Sequence, residues 1–318
     1  MERITTLMTA QTLLGNLNQQ LNTLQNTQLE LSSGKQINEP SDNPYGMGLS
    51  LQLNSQLSQL TQYASNVTDG TAWTQASATA LSDMNNVVQR VSALVVEGIN
   101  GTNNQSDLQA MADEVDQLTD EVKQDADTQY NGQYVFSGSS GSNLQPYQTG
   151  QGSSDKYGGG TGAVYREVGP GTTVQVDIDT SATNSSTPPG PGGISSLLGN
   201  GPTANDGLLL DTLRQISTDM NSGNTSGLSN DLTNLTGNLH QLQALQATVG
   251  TTQDQLQLAS TRIQDLQDND TQVLSNTQDA DMATTEINFS MQQTAYEAAL
   301  KAGASIVQES LVDFLGNG

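Results

Sequence analysis

The sequence predicts a mainly α fold with a β-rich insert. The expected form is an elongated rod of long antiparallel helices, with coiled-coil helices at both termini and a small β tip domain. Three observations carry this prediction. Hydrophobic residues are 33% of the 318 and aromatic residues 4%, too few for one thick globular core. The apolar residues fall in rows spaced by seven, so each helix has one stripe to bury. Residues 137–205 lack such rows and are rich in Gly, Pro, Ser and Thr.

Residues 4–32 carry the first stripe. One row is Leu7, Leu14, Leu21 and Gln28; the other is Ala10, Leu17, Leu24 and Leu31. They interleave at three and four, the spacing of a coiled-coil seam. Gly15 is its weak point, costing about 1 kcal/mol against Ala in a helix interior. A lone helix of this kind cannot bury its stripe and needs a partner helix, in this chain or another.

The stretch "LSSGKQINEPSDNP" (31–44) then ends the helix. Gly34 gives conformational freedom, and Pro40 and Pro44 stop helix propagation. Asn38, Asp42 and Asn43 suit local side-chain turns or a cap for the next helix, with Pro44 in its first turn.

Residues 45–100 read as one long helix with Leu53, Leu60, Val67, Leu81, Val88 and Val95 in one row, interrupted by Thr74. Leu49, Leu57, Ala64, Ala78 and Met84 fill alongside. About 50 residues at 1.5 Å each make a rod of roughly 75 Å. "NGTNNQSD" (100–107) ends it. A third helix follows, capped by Ser106 with Gln109 three residues on, and striped by Leu108, Met111, Val115, Leu118 and Val122. The short connection predicts antiparallel packing on the second helix. Its other face is acidic, from Asp107 to Asp127, with Lys123 opposing.

In "TQYNGQYVFSGSSG" (128–141), Asn131-Gly132 signals a turn and Tyr134, Val135 and Phe136 favour a strand. In 162–179, Thr172, Val174, Val176 and Ile178 alternate onto one face. "NSSTPPGPGG" (184–193) reads as loose loop. Helical pattern returns near Asp206, a candidate cap, and is strong over 226–275, from Leu228 through Leu256 and Ile263 to Leu266 and Val273. Asp279 and Asp281 suit capping and dipole roles ahead of a last helix that carries Phe289, Tyr296, Leu300, Ala304, Val307, Leu311 and Phe314. The expected domains are 1–40 and 276–318 (terminal assembly helices), 41–135 and 206–275 (rod helices) and 136–205 (β-rich tip). The two chain ends then meet.

Charge and composition narrow the function. A net charge of −24 repels phosphate backbones and anionic membranes, so neither nucleic acid nor membrane is an expected partner. There is no run of eighteen apolar residues, so no bilayer span is expected, and residues 1–30 lack the apolar core of a signal peptide. Without cysteine, disulfides and thiolate sites are excluded. His240, the single histidine, lies at the solvent edge of a Leu-rich helix. The acidic helix and "DNDTQ" (268–272) lack calcium-loop spacing, and "YGGGTG" (157–162) has no GK[ST] and reads as a flexible turn. Trp73 is a packing anchor. No catalytic, cofactor-binding or metal site is expected, and no enzyme activity. What remains is the heptad stripes. Those at 1–32 and 285–315 look built to finish their burial against neighbouring copies.

Several blocks, in order at both ends, are similar to one family. "ERITTLM" with "LSSGKQINEPSDNP", "NVTDGTAW", "LSDMNNVVQRVSALVVEGINGTNNQSD", "TQYNGQYVFSG" and "DADMATTEINFSMQQTAYEAALKAGASIVQESLVDFL" resemble the flagellin superfamily over roughly 1–141 and 206–315. "RITTLM", "VFSG" and "SLVDFL" resemble the hook–filament junction branch, the hook-associated protein 3 type, rather than a filament flagellin. Gln36 and Asn43 depart from that pattern, where Arg and Asp are usual. The resemblance implies a secreted, extracellular structural protein of the bacterial flagellum that forms a ring of copies joining hook to filament. It also implies hook-associated protein 1, flagellin and an export chaperone as partners. The implied assembly residues are Leu7, Leu14, Leu17, Leu21, Leu24, Leu31, Leu300, Val307, Leu311 and Phe314. The domain-connecting turn would be Gly34, Asn38, Pro40, Asp42, Asn43 and Pro44. The alternatives are a short flagellin that forms the filament itself and an extracellular binding module acting through the tip.

Overall fold

The computed structural model describes residues 2–100, 103–139, 143–148, 157–160, 162–178, 193–199 and 208–316, with side chains at 8 and within 11–305. The helices are α1 (Glu2–Ser33), α2 (Pro44–Ile99), α3 (Gln105–Ala126), α4 (Ile194–Leu198), α5 (Leu209–Ser222), α6 (Thr225–Gln278) and α7 (Met282–Gly316). Two antiparallel strand pairs complete the described elements: β1 (Gln129–Tyr130) with β2 (Gln133–Tyr134), and β3 (Tyr165–Gly169) with β4 (Thr172–Gln175). The fold is therefore mainly helical with a small β region. The chain forms two compact units, Leu60–Asp265 and a second made of Met1–Gln59 with Leu266–Gly318.

In the first unit the α2 row is the centre of the core. Leu60, Val67, Leu81, Val88 and Val95 are buried, and so is Thr74, whose hydroxyl donates to the Thr71 carbonyl of its own helix. α6 runs antiparallel to α2: Gln246 Nε2 donates to the Leu81 carbonyl, while Gly70 lies beside Leu256 and Gly98 beside Leu228. Leu228, Leu235, Leu242, Leu245, Val249, Leu256 and Ile263 of α6 are buried. α3 packs on α5 and is tied to α2 by the Arg90–Glu114 ion pair at 2.7 Å.

α3 begins two residues earlier than its Ser106 signal implies. Its cap is Asn104, with an extended backbone and a reciprocal capping box to Asp107; Ser106 lies inside the helix and donates to Asn104. Both sequences satisfy the capping pattern, and the amide of Asn104 wins because it accepts from the Asp107 N–H while Asp107 returns the bond.

The β insert is anchored by polar contacts to the helices. Asn131 and Gly132 both take positive φ (51° and 76°), the turn that matches strand twist in a two-residue hairpin. Val135 and Phe136 are buried just beyond the strand rather than in it. The Asp69 carboxylate of α2 accepts from Arg166 Nε at 2.6 Å and from the Tyr130 hydroxyl at 3.3 Å. Arg166 lies 5.7 Å from the ring centre of Trp73, which meets Tyr130 edge-on, so Trp73 is the buried anchor under both hairpins. Val176 and Ile178 of the alternating stretch are buried, Val174 is half-buried and Thr172 is exposed. At the end of α3, Asp127 accepts from the Tyr147 N–H and the Gln145 amide, holding the segment after β2.

Two features differ from expectation. α4, with Ile194, Leu197 and Leu198 fully buried, is a short helix inside the stretch expected to be β-rich. Residues 157–160 are not loose, because Tyr157 donates to the Phe136 carbonyl and the Gly160 N–H to the Ser137 carbonyl. Residues 184–192 and Asp206 lie outside the described set.

The Asp69 cluster sets a first prediction. Arg166 and Asp69 are partly exposed, which limits the strength of their pair. Asp69→Ala should destabilise this unit by about 1–2 kcal/mol. Denaturant titration followed by the emission of Trp73, the only tryptophan, will read it, with a red-shifted native spectrum. An unchanged midpoint would show that the hairpins hold without the carboxylate.

Candidate functional site

With no catalytic or metal-binding constellation legible in the sequence, attention falls on the terminal helices. α1 and α7 pack against each other within the second unit. Their direction is antiparallel: Thr27 Oγ1 donates to Gln292 Oε1 at 2.8 Å, and Leu13 lies over Gly303.

The seam on α1 is Leu13, Leu17, Gln20, Leu24, Thr27 and Leu31, alternating by four and three and partly or fully buried. On α7 it is Thr285, Phe289, Gln292, Tyr296, Ala299 and Gly303, with the same alternation. The expected row of Leu17, Leu24 and Leu31 therefore lies in the seam. The other expected row does not. Leu14 is 60% exposed, Leu21 sits half-buried at the seam edge and Gln28 is exposed. The reason lies in α7, which offers small and polar side chains. A Cβ at Gly303 would stand 2.8 Å from Leu13 Cδ2, and Gln292 seeks a hydrogen-bond donor, so Leu13 and Thr27 turn inward. A count of apolar residues on α1 alone misses that complement.

On α7, Leu300 is 44% exposed and Ala304 is exposed, so neither joins the seam. The side chains of Leu7, Val307, Leu311 and Phe314 lie outside the described set. A further stripe was not legible: Ile287, Met291, Ala295, Ala298 and Ala302 follow at spacings of four, four, three and four on a face turned from the seam. All five are exposed, Ile287 at 61% and Met291 at 58%.

The connecting turn is clipped to the start of α7. Gly34 has φ 71° and accepts from the Ala280 N–H, and Gln36 N–H donates to the Gln278 carbonyl, with a bridge between Lys35 and Asp279. Gln36 Nε2 also donates to the Thr277 carbonyl, so a neutral amide makes the contact here. Asp42 Oδ2 accepts from the N–H groups of Asn38 and Glu39, and Asn38 Nδ2 donates to the Lys35 carbonyl. Asn43 Oδ1 caps α2 through the Gly46 N–H, and Pro44 is the first residue of that helix. Pro40 is exposed, while Ile37, which belongs to no heptad row, is buried under the turn.

Asp281 caps α7, accepting from Ala283 N–H and from the Thr284 side chain. The Thr284 hydroxyl first, and the backbone N–H groups with it, hold the Asp281 carboxyl below its usual range. That contribution is present above the ordinary carboxylate pKa and is lost as pH falls through the lowered value. His240 is exposed on α6, and among the described residues no group of three or more His, Cys, Asp or Glu could hold a metal ion. No described helix is long and apolar enough to cross a membrane.

This arrangement has relatives. The bacterial flagellin N-terminal helical region matches residues 4–141, and the bacterial flagellin C-terminal helical region matches residues 232–315. The chain belongs to the flagellin superfamily. Among sequences of this superfamily, it is 37% identical over 124 residues to flagellin 1 of Proteus mirabilis, covering 39% of this chain and 34% of that one. It is also 37% identical over 123 residues to a flagellin of Salmonella enteritidis, covering 38% and 24%. The matched part thus spans about a third or less of those flagellins. The fold is similar to a Vibrio parahaemolyticus chain assigned as a flagellar hook-associated protein, with TM-score 0.63 and 15% identity over 75% of this chain and 100% of that one. It is similar also to hook-associated protein 3 of Legionella pneumophila, with TM-score 0.56 and 14% identity over 71% and 98%.

The seam sets the second prediction. Gly303→Ala gains helix propensity but pushes on Leu13, and the two effects should nearly cancel. Gly303→Val should weaken the α1–α7 pair by about 1–3 kcal/mol. Circular dichroism melting and cleavage rates at residues 2–33 will report it. Equal behaviour of the two variants would contradict the close Leu13–Gly303 approach.

Proposed function

We propose that this chain is a non-enzymatic structural protein of the bacterial flagellum, located outside the cell at the junction of hook and filament. Copies pack through α1 and α7 and form a ring. Hook-associated protein 1 lies on the hook side, flagellin on the filament side, and an export chaperone holds the chain beforehand. The observation that carries the reading is the unfinished burial of the terminal pair. α1 and α7 cover one seam of each other and leave Leu14, Leu29, Leu300 and the Ile287–Met291 stripe in water. Exposed apolar rows on helices of a flagellin-superfamily chain suit packing against further copies. The fold likeness to hook-associated chains along nearly their whole length supports the junction reading.

Sequence identity to flagellins favours a second reading, a short filament flagellin. The two differ in outcome. A junction protein stops at a closed ring, whereas a filament protein polymerises without limit. Sedimentation and electron microscopy of the concentrated chain distinguish them. The double variant Ile287→Glu with Met291→Glu should weaken association by on the order of a hundredfold or more, since each buried apolar side chain contributes about 1.5–3 kcal/mol. Its monomer should melt within about 0.5 kcal/mol of wild type, because both positions are exposed. In limited proteolysis of the monomer, the ends should be cut first and a core near 45–275 survive. Unchanged association of the double variant would remove this stripe from the interface, and uniform digestion would mean that the ends need no neighbour.

A further inference from the structure

The joint between α5 and α6 buries two carboxyl groups away from the terminal helices. α5 ends at Gly223, and Asn224 caps α6 by accepting from the Gly227 N–H at 3.1 Å. Asp219, on the last turn of α5, is 6% exposed; Asp231, on the second turn of α6, is 5% exposed. Asp219 Oδ1 accepts from Asn224 Nδ2 at 3.1 Å and from Gln215 Nε2 at 3.2 Å. Its Oδ2 lies so close over Gly227 that any Cβ there would collide with it.

Asp231 lies one helical turn beyond Gly227 on the same side of α6, so its carboxyl faces Asp219, and its Oδ2 has no hydrogen-bond partner. Two ionised carboxylates so placed repel, and the Asp231 Oδ2 is left unmet in a buried site. A proton on one of them removes both problems, turning the orphan oxygen into a donor. The charges that act most on Asp231 are Asp219 and Asp211, both acidic and both on α5. Arg214, also on α5, is half-buried. α3 brings the neutral Gln105 amide to the Asn221 carbonyl here, and α2 brings Gly98 beside Leu228 and Met220. Asp107 and Glu97, the neighbouring charges on those helices, are exposed.

We propose that Asp231 holds a proton and donates it to the Asp219 carboxylate, and that this hydrogen bond clasps the first turns of α6 to the last turn of α5, so that the joint tightens in weakly acidic medium and loosens in alkaline medium. Burial first, and then the Asp219 carboxylate, push the Asp231 carboxyl up to about 7 from 3.8. A carboxyl raised on folding contributes stability that is complete below the unfolded value and is lost as pH rises through the folded one. The window is therefore about 4 to 7.

Asp231→Asn supplies the test, because its amide can donate to Asp219 at every pH. The folding constant of the full chain is measured by denaturant titration across pH 4.5–8.5. Between about 4 and 7, one extra bound proton makes the wild-type constant fall tenfold per pH unit. Asp125, raised to about 6, and Asp127 add a slope common to both proteins. The variant should therefore show a slope smaller by one proton, and at pH 8.5 it should be at least tenfold more stable than wild type. Parallel slopes would overturn the proposal. A carboxyl-carbon titration of the 13C-aspartate-labelled wild type needs no variant. One aspartate should have a midpoint near 7; midpoints all below about 6.5 would equally overturn it.

Discussion

The fold depends on a single row of side chains. With hydrophobic residues scarce, each helix can bury only one stripe, and α2 carries the stripe on which the larger unit is built. Leu60, Val67, Thr74, Leu81, Val88 and Val95 repeat every seven residues and are all nearly or fully buried. An antiparallel α6 meets this row with its own leucines, and α3 and α5 pack alongside. Thr74 interrupts the row at little cost, because its hydroxyl is satisfied by its own helix. The row also fixes the β insert. Trp73 and Asp69 project from the same turns, so the hairpins take their places from the helix that organises the core.

What was legible in the sequence follows from range. Seven-residue rows over fifty residues repeat one message many times, so α2 and α6 were readable along nearly their whole length. The Asn131-Gly132 turn was readable because two consecutive positive φ angles suit few other pairs. Features decided by a partner were not. Leu14 and Leu13 are equally apolar, and the residues across the seam, Gly303 and Gln292 among them, decide which turns inward. α4 is five residues whose burial comes wholly from tertiary contacts. At α3 two overlapping capping patterns competed, and spacing alone could not rank them. Leu266 and Val273 match the α6 row yet remain substantially exposed, so a periodic stripe marks what can be buried rather than what is.

The α1–α7 seam differs in kind from the α2–α6 core. Four leucines, Phe289 and Tyr296 share it with Gln20, Thr27, Thr285 and Gln292. Gln20 Oε1 is buried there without a partner, and each such group offsets part of the gain from its apolar neighbours. Long helices joined by so mixed a seam are held largely by their ends: the clip of 34–36 on 278–280, the Asp42 turn and the Asp281 cap. Register is thereby set by polar geometry at the turn, and the seam itself contributes modestly. A pair built this way keeps its shape while leaving apolar surface available on other faces.

Charge distribution indicates where such surface can be used. At a net charge of −24, copies of this chain repel one another over most of their surface. Residues 4–29 nevertheless contain no charged side chain, and neither do residues 287–296. These neutral stretches hold the uncovered Leu14 and Leu29 of α1 and the Ile287–Met291 stripe of α7. Apolar exposure and the absence of charge coincide on the same two helices, and these are the places where copies can approach without bringing carboxylates together. Salt shortens the reach of the repulsion from the rest of the chain to about 8 Å at physiological ionic strength. Contact through these uncharged stretches would bury apolar surface without bringing carboxylates together. The acidic face of α3, by contrast, is suited to staying in water.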